Sequence, residues 1–394
     1  MTIRPIIAVG PLPPPLNGHT IAFRTVVDAL RQQKLLASVV DLSGPGRSTI
    51  TRLLHYAWTV PVYIIKAAMG RKVVYLTMSQ SLRGFVRDWF IVCLGRGFGH
   101  VIVCHLHGGN YGEFYSRLPS WIQQTVRKTL RKVDRLIVLS DRFRTLFDFD
   151  SILKERICVV HNGLTKPTKP VMGKHLPRGS SEPIRVLYLS NLIESKGYFD
   201  VLKAVCILVK RYGMNVQSVF AGEFQRNADD ICVRSAADAR RRFERIIREQ
   251  GVEQNVQYVG IVSGEKKATL LREAHFFVLP TNYDAEGEPI AVIEAMAFGN
   301  VVIATHYRAI PDLVLEDKTG CFVPFGCPAC IAEKIARLAL EPERFAEMSQ
   351  AAVKHYSVNF TGEKYLENVL SILLSYSRSN RANTSVKCAV QSTS

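Results

Sequence analysis

No run of eighteen uninterrupted apolar residues occurs in this sequence, so it offers no segment able to cross a bilayer as a helix. The nearest approach, LLHYAWTVPVYIIKAAMG at 53–70, is interrupted by His55, Pro61 and Lys66. The opening MTIRPIIAVGPL reads as a strand and not as a charged leader with an apolar core, so no secretory signal is expected, and reduced thiols in a cytoplasmic setting follow. The nine cysteines stand at irregular positions. Cys327 and Cys330 make a lone CxxC near Cys321 with no fourth ligand at suitable spacing, which argues against zinc. No internal repeat is present. Acid is scarce in one half only: residues 1–178 hold 26 Lys and Arg against 9 Asp and Glu, a net +17, whereas 179–394 hold 25 of each. Such a one-sided excess predicts an anionic partner, namely nucleic acid, an acidic membrane surface or a phosphorylated acceptor. Interleaved aromatic and basic RNA-binding motifs are missing, so nucleic acid is not expected.

What is present points to two domains. A chain of 394 residues exceeds the usual single-domain size, and 47% hydrophobic content suffices for two cores. Apolar runs (PIIAVG, ASVVDL, KVVYLT, HVIVCHL, DRLIVLS, ICVVHN) alternate with amphipathic stretches such as HTIAFRTVVDALRQQ and SWIQQTVRKTLRKV, a βαβ rhythm that builds a parallel sheet with helices on both faces. The stretch LTKPTKPVMGKHLPRGSSEP at 164–183 reads as a linker between an N-terminal domain at 1–163 and a C-terminal domain at 184–355. Beyond it the rhythm restarts with IRVLYLS, NVQSVFAG, NVQYVG, HFFVLP and VVIAT. Residues 356–375 are expected to form a helix packing back on the N-terminal domain, and 376–394 a disordered tail. The expected fold is α/β: two Rossmann-like, doubly wound parallel-sheet domains facing across a cleft.

Four strand-to-helix loops carry the candidate chemistry. In DAEGEPIAVIEAMAFGN, at 284–300, apolar residues at helical spacing from Ile290 and the stop at Gly299 define a short helix. Its N-terminus favours an anion such as a phosphate. Glu286 lies in the loop and Glu294 one turn into the helix, so the two carboxylates reach different parts of one ligand; by spacing alone two such glutamates are more often a cap and a solvated face. In GPLPPPLNGHT, Asn17 and Gly18 permit close backbone approach before a second helix. In VLYLSNLIESKG, Asn191 and Lys196 follow a strand, where the lysine is either a point charge for a diphosphate or an ordinary surface residue. In VIVCHLHGGN, His105 and His107 share one side of a strand end, where histidine can hydrogen-bond a sugar hydroxyl.

Taken in order, the Pro-rich Asn-Gly loop, HLHGG, VDRLIVLSDRFRTLF, CVVHNGL, SNLIESKG and EGEPIAVIEAMAFGNVVIATHYRAIPDLV resemble the retaining glycosyltransferases of family four (glycosyl transferases group 1), which have the GT-B fold. The resemblance implies that Glu294 holds the ribose, Glu286 faces the donor sugar, and backbone around Gly287, Glu288, Pro289 and Ile290 contacts sugar and phosphate. It further implies that Lys196 meets the diphosphate, Asn17 and Gly18 close over the donor, and His107 lines the sugar pocket. Asn191 stands where family members often carry Arg, and Pro289 removes one backbone donor. Implied catalytic residues are therefore His107, Glu286 and Lys196.

The implied reaction moves a sugar from a UDP- or GDP-linked donor to a glycan or lipid-linked acceptor with retention, in surface polysaccharide or glycolipid biosynthesis. It needs no cofactor, since the nucleotide sugar is a substrate, and no metal is strictly required. Asp148-Phe149-Asp150 fits a metal-binding pattern but follows a helix, away from the inferred donor loops. The aromatic and basic segments around Tyr56, Trp58 and Trp89 are either interfacial or packed on the sheet, and with the N-half charge they make peripheral binding to the cytoplasmic membrane face the expected location. A weakly catalytic nucleotide-sugar-binding protein and a GT-B epimerase are the competing readings.

Overall fold

The computed structural model describes residues 3–14, 18–43, 62–68, 70–164, 173–177, 182–227 and 230–378. Asn17, Tyr56, Trp58, most of the stretch read as a linker and residues 379–394 of the expected tail lie outside them. The chain divides into two compact units, residues 1–165 with 362–394 and residues 166–361.

Unit 1 holds six parallel strands, β1 (Ile6–Gly10), β2 (Leu36–Asp41), β3 (Val73–Thr77), β4 (Val101–Leu106), β5 (Arg135–Val138) and β6 (Ile157–Val159), in the order β2-β1-β3-β4-β5-β6. β1 and β3 are buried along their whole length, as continuous apolar runs require when helices cover both faces. The last helix, Gly362–Ser377, completes this core: Tyr365, Val369 and Leu373 pack with Ile6, Phe23 and Val26. Its end is tied to the first strand's entry, with Arg4 N–H donating to Ser377 O at 2.9 Å. The helix begins at Gly362, not at 356, because residues 342–359 continue a preceding helix of unit 2, Pro342–Asn359.

Unit 2 repeats the plan with β7 (Ile184–Leu189), β8 (Val216–Ala221), β9 (Val256–Gly260), β10 (Phe276–Leu279), β11 (Val301–Ala304) and β12 (Gly320–Phe322), all parallel, in the order β12-β11-β10-β7-β8-β9. Cys327 and Cys330 form a disulfide with their sulfurs 2.11 Å apart, which corrects the expectation that all thiols are reduced. The pair spans the start of the helix Pro328–Leu340, where a helical turn brings residues three apart together. Asp148-Phe149-Asp150 is structural: Asp150 caps the helix Ser151–Lys154 by accepting Leu153 N–H and pairs with Arg131 at 2.8 Å, while Asp148 pairs with Lys154.

Candidate active site

In unit 2 the strand order reverses between β7 and β10, since β7 continues into β8 and β9 on one side and β10 into β11 and β12 on the other. Loops leaving the carboxyl ends of such a pair diverge and leave a crevice, the usual ligand position in open parallel sheets. The two loops that leave here are Ser190–Gly197 and Pro280–Pro289, which carry the candidates Asn191, Lys196 and Glu286. They are laced together, with Asn282 N–H donating to Ser195 O at 2.8 Å. Gly197 permits this. Its φ is 76°, and a Cβ there would lie 2.3 Å from Pro280 O.

Lys196 Nζ sits 3.2 Å from Glu286 Oε2, with the two side chains only 15% and 7% exposed. Thr281 Oγ1 donates to the same Glu286 oxygen at 3.2 Å, Glu286 N–H donates to Tyr283 O at 2.9 Å, and the Lys196 ammonium lies 5.0 Å from the centre of the Tyr283 ring. A buried pair of this kind leaves an uncompensated charge if either partner is removed, so it needs either this contact or a ligand that replaces it. Glu288 is buried as well, and Pro289 occupies the N-cap with φ −70° and no side-chain cap bond, so the amides of the helix Ile290–Ala297 begin at Ile290, next to Gly287 and Glu288. Gly299, at φ 70°, ends that helix one residue past its C-cap, Phe298.

Glu294, at the fifth position of this helix, is paired with Lys267, Nζ to Oε1 2.5 Å. Lys267 belongs to the helix Gly264–Glu273 and is invisible to sequence reasoning. It stands 27 residues from its partner in the polar stretch GEKKATLLRE, where a lysine is ordinarily a solvated face. Asn191 is exposed, and its Nδ2 donates to Gln225 Oε1 at 3.2 Å, so that position contributes an amide tied to the loop after β8 and no cation.

In unit 1, Gly18 is the first residue of the helix Gly18–Gln32. His107 follows β4 and forms a column with two other rings: its centroid is 4.0 Å from that of His105 and 4.6 Å from that of His19. His105 Nδ1 hydrogen-bonds the Tyr75 hydroxyl at 2.8 Å. Burial is the main cause that lowers all three imidazole pKa values, to about 4 for His19, about 3 for His105 and well below the ordinary value for His107, and the mutual repulsion of the rings adds to it for His105 and His107. The column is therefore neutral near pH 7, and the Nε2 atoms of all three rings are buried without a protein partner. Among the described residues one trio has metal-ligating atoms within 4.8 Å, Glu316, Asp317 and Cys321; its two carboxylates already face Lys334 and Arg344.

Residues 177–355 match the family described as glycosyl transferases group 1. Among curated relatives, a putative colanic acid biosynthesis glycosyltransferase, WcaL of Escherichia coli K12, is 24% identical over 63% of this chain. The chain spans 58% of the length of that relative. A phosphatidyl-myo-inositol mannosyltransferase of Mycobacterium leprae is 23% identical over 88% of this chain and 90% of its own. Among solved structures, Anabaena HepE in complex with UDP and glucose aligns with a TM-score of 0.67 at 16% identity, covering 94% of this chain and 100% of its own. Sucrose-phosphate synthase from Thermosynechococcus elongatus aligns with a TM-score of 0.70 at 19% identity, covering 94% and 98%. The likeness shows the fold, a pair of Rossmann-like units of the GT-B type. The match to the glycosyl transferases group 1 lies in residues 177–355, a little under half of the chain, and the resemblance to that family is carried by this segment.

Proposed function

We propose that the chain is a retaining glycosyltransferase that takes a UDP- or GDP-linked sugar and delivers it to a glycan or lipid-linked acceptor in surface polysaccharide or glycolipid biosynthesis. The observation that carries this reading is the buried Lys196–Glu286 pair at the reversal between β7 and β10. A diphosphate arriving at the helix start of Ile290–Ala297 offers Lys196 a second anion, and Glu286 is then released toward sugar hydroxyls. Glu294, held in place by Lys267, faces the ribose. Catalysis rests on positioning and on stabilising the departing diphosphate, not on a protein nucleophile. Relatives named for colanic acid and amylovoran biosynthesis support the polysaccharide setting. No metal is required, so transfer survives EDTA. Among the described residues no helix is long and apolar enough to cross a membrane. Peripheral contact with the cytoplasmic membrane face is proposed instead, supported by the N-half charge and by the exposed Leu82, Val86 and Trp89, spaced i, i+4, i+7 on one helix face.

The deciding experiment screens UDP-, GDP- and ADP-sugars for hydrolysis and for thermal stabilisation of the full chain. A ligand at 100 times its Kd adds about 2.7 kcal/mol. The reading fails if no nucleotide sugar at millimolar concentration shifts the unfolding temperature.

A further inference from the structure

Unit 1 has its own strand-order reversal, between β1 and β3, and an open cavity of about 250 Å³ lies there, lined by His19, Thr77, Ser79, Gln80 and Arg87 among others. Among the described residues its lining includes a guanidinium and no carboxylate. The helices that follow β1 and β3, Gly18–Gln32 and Leu82–Gly97, each have no acidic residue in the first turn, and the carboxylate of Asp88, in the second turn of the latter, is taken up by Arg87 and Ser79 N–H. Arg87 is held in one orientation: its Nε and Nη2 both donate to Asp88 Oδ1, at 2.9 and 2.6 Å, and Asp88 Oδ2 accepts Ser79 N–H at 2.8 Å. Gln80 is fixed by accepting Asn110 N–H at 2.9 Å, and it fits only because position 108 is glycine, where a Cβ would stand 1.6 Å from Gln80 Nε2. His19 Nε2 is buried there without a protein partner.

These features describe a pocket prepared for one small anion. Resting on the transferase reading above, we propose that this cavity receives a phosphate or diphosphate group of the acceptor, recognised by Arg87 and His19 next to the hydroxyl that accepts the sugar. The cavity is too small for a whole glycan lipid and of the right order for a phosphate with part of its neighbouring ring. Asp88 acts as a positioning residue, and the cluster makes the acceptor's charge, more than its sugar identity, the feature that unit 1 selects.

The test uses the full chain and inorganic sulfate as probe, because sulfate does not titrate near neutral pH. Calorimetry is run on Lys196→Ala, which weakens anion binding in unit 2, and on the same chain carrying Arg87→Gln with Asp88→Asn, a pair that removes both charges and leaves no buried carboxylate alone. Sulfate affinity should fall about tenfold in the combined variant. His19→Asn, with its smaller disturbance, should give a loss in the same direction. In transfer assays, KM for a sugar phosphate should rise about tenfold in Arg87→Gln/Asp88→Asn, with little change in KM for the same sugar lacking phosphate. Preference for a polyprenol-diphosphate sugar in micelles assigns the anion to a lipid carrier, and preference for the soluble sugar phosphate assigns it to a free substrate. Equal sulfate affinity in all three chains, or an equal KM shift for both acceptors, overturns the proposal. Nucleotide affinity measured in parallel separates the two readings: if the wild-type chain binds no nucleotide, the transferase reading fails, whereas retained nucleotide binding without phosphate preference fails this inference alone.

Discussion

Glu294 and Glu286 differ in what holds them, and their replacements should differ accordingly. Glu294 faces a lysine on a neighbouring helix, and on the proposed function Glu294→Ala removes a charge-assisted hydrogen bond to ribose worth ~1.5–3 kcal/mol, so nucleotide affinity should fall about tenfold to a hundredfold. Glu286→Ala should mainly lower kcat, and Lys196→Ala should abolish most turnover because Asn191 supplies no second charge; Asn191→Arg is expected to restore part of it. Isothermal titration with the nucleotide and steady-state kinetics check all four, and wild-type behaviour of both Glu294→Ala and Lys196→Ala would remove the site. The histidine column gives a pH signature. Each ring is neutral when folded and titrates near 6.5 when unfolded, so the unfolded chain binds more protons below that pH. Stability is complete above pH 6.5 and declines as the pH falls toward 4, with His19 alone costing about 2 kcal/mol at pH 5. Urea midpoints at pH 7.5 and 5.0 should show the drop, flattened in His19→Asn; identical midpoints contradict it. Glu286, Lys196 and Glu294 stand out in the sequence because each lies in a local strand–loop–helix pattern, and the structure places Lys196 and Glu286 in contact. Lys267 is not legible there, because its partner Glu294 is set by helix packing across 27 residues, and Arg87 is not, because the cavity it lines is made by a strand reversal that no local spacing encodes.

Gly197 links the two loops of unit 2 by geometry alone, and it separates conformational cost from steric cost. Its left-handed backbone makes any Cβ unfavourable by about 1–3 kcal/mol. Gly213, at φ 63° with open space for 4 Å around the place a Cβ would take, carries only the first cost. Gly197→Ala should therefore destabilise more than Gly213→Ala and also reduce nucleotide binding, since Pro280 and the Glu286 loop must move. Urea midpoints and nucleotide titration of the two variants measure this; equal effects would show that the loops tolerate displacement. At this level eleven of the twelve strands match apolar runs in the sequence; β1, β3, β10 and β11, buried on both faces, read as uninterrupted runs, whereas the edge strands β2 and β9 are broken by Ser38 and Gln257. β12 is Gly-Cys-Phe, and opening on a glycine it does not read as an apolar run. The start of the last helix is not legible, because Pro342–Asn359 and Gly362–Ser377 are separated by only two residues and carry no Gly or Pro stop between Tyr356 and Thr361.

For the molecule as a whole, charge and exposed apolar surface make one prediction. Trp121 is 72% exposed on the helix Ser120–Leu130, and Leu82, Val86 and Trp89 are exposed on the helix Leu82–Gly97, both in the basic half. Each Lys or Arg close to an anionic leaflet contributes about 1 kcal/mol, so the chain should sediment with anionic liposomes at low salt, and Trp89→Ala with Trp121→Ala should make the residual binding more salt-sensitive. Equal recovery in the supernatant with neutral and anionic liposomes would favour a soluble acceptor. The division into units has a different consequence. Unit 1 closes its core only with Tyr365, Val369 and Leu373, which leave the ribosome after all of unit 2 has been made. During synthesis, Ile6, Phe23 and Val26 must therefore wait without their final cover while residues 166–361 fold, the reverse of the usual N-terminal-first order. A released chain truncated just before Gly362 should hold a protease-resistant unit 2 beside a protease-sensitive first half, and expression of the protein should depend on whatever shields that half in the interval.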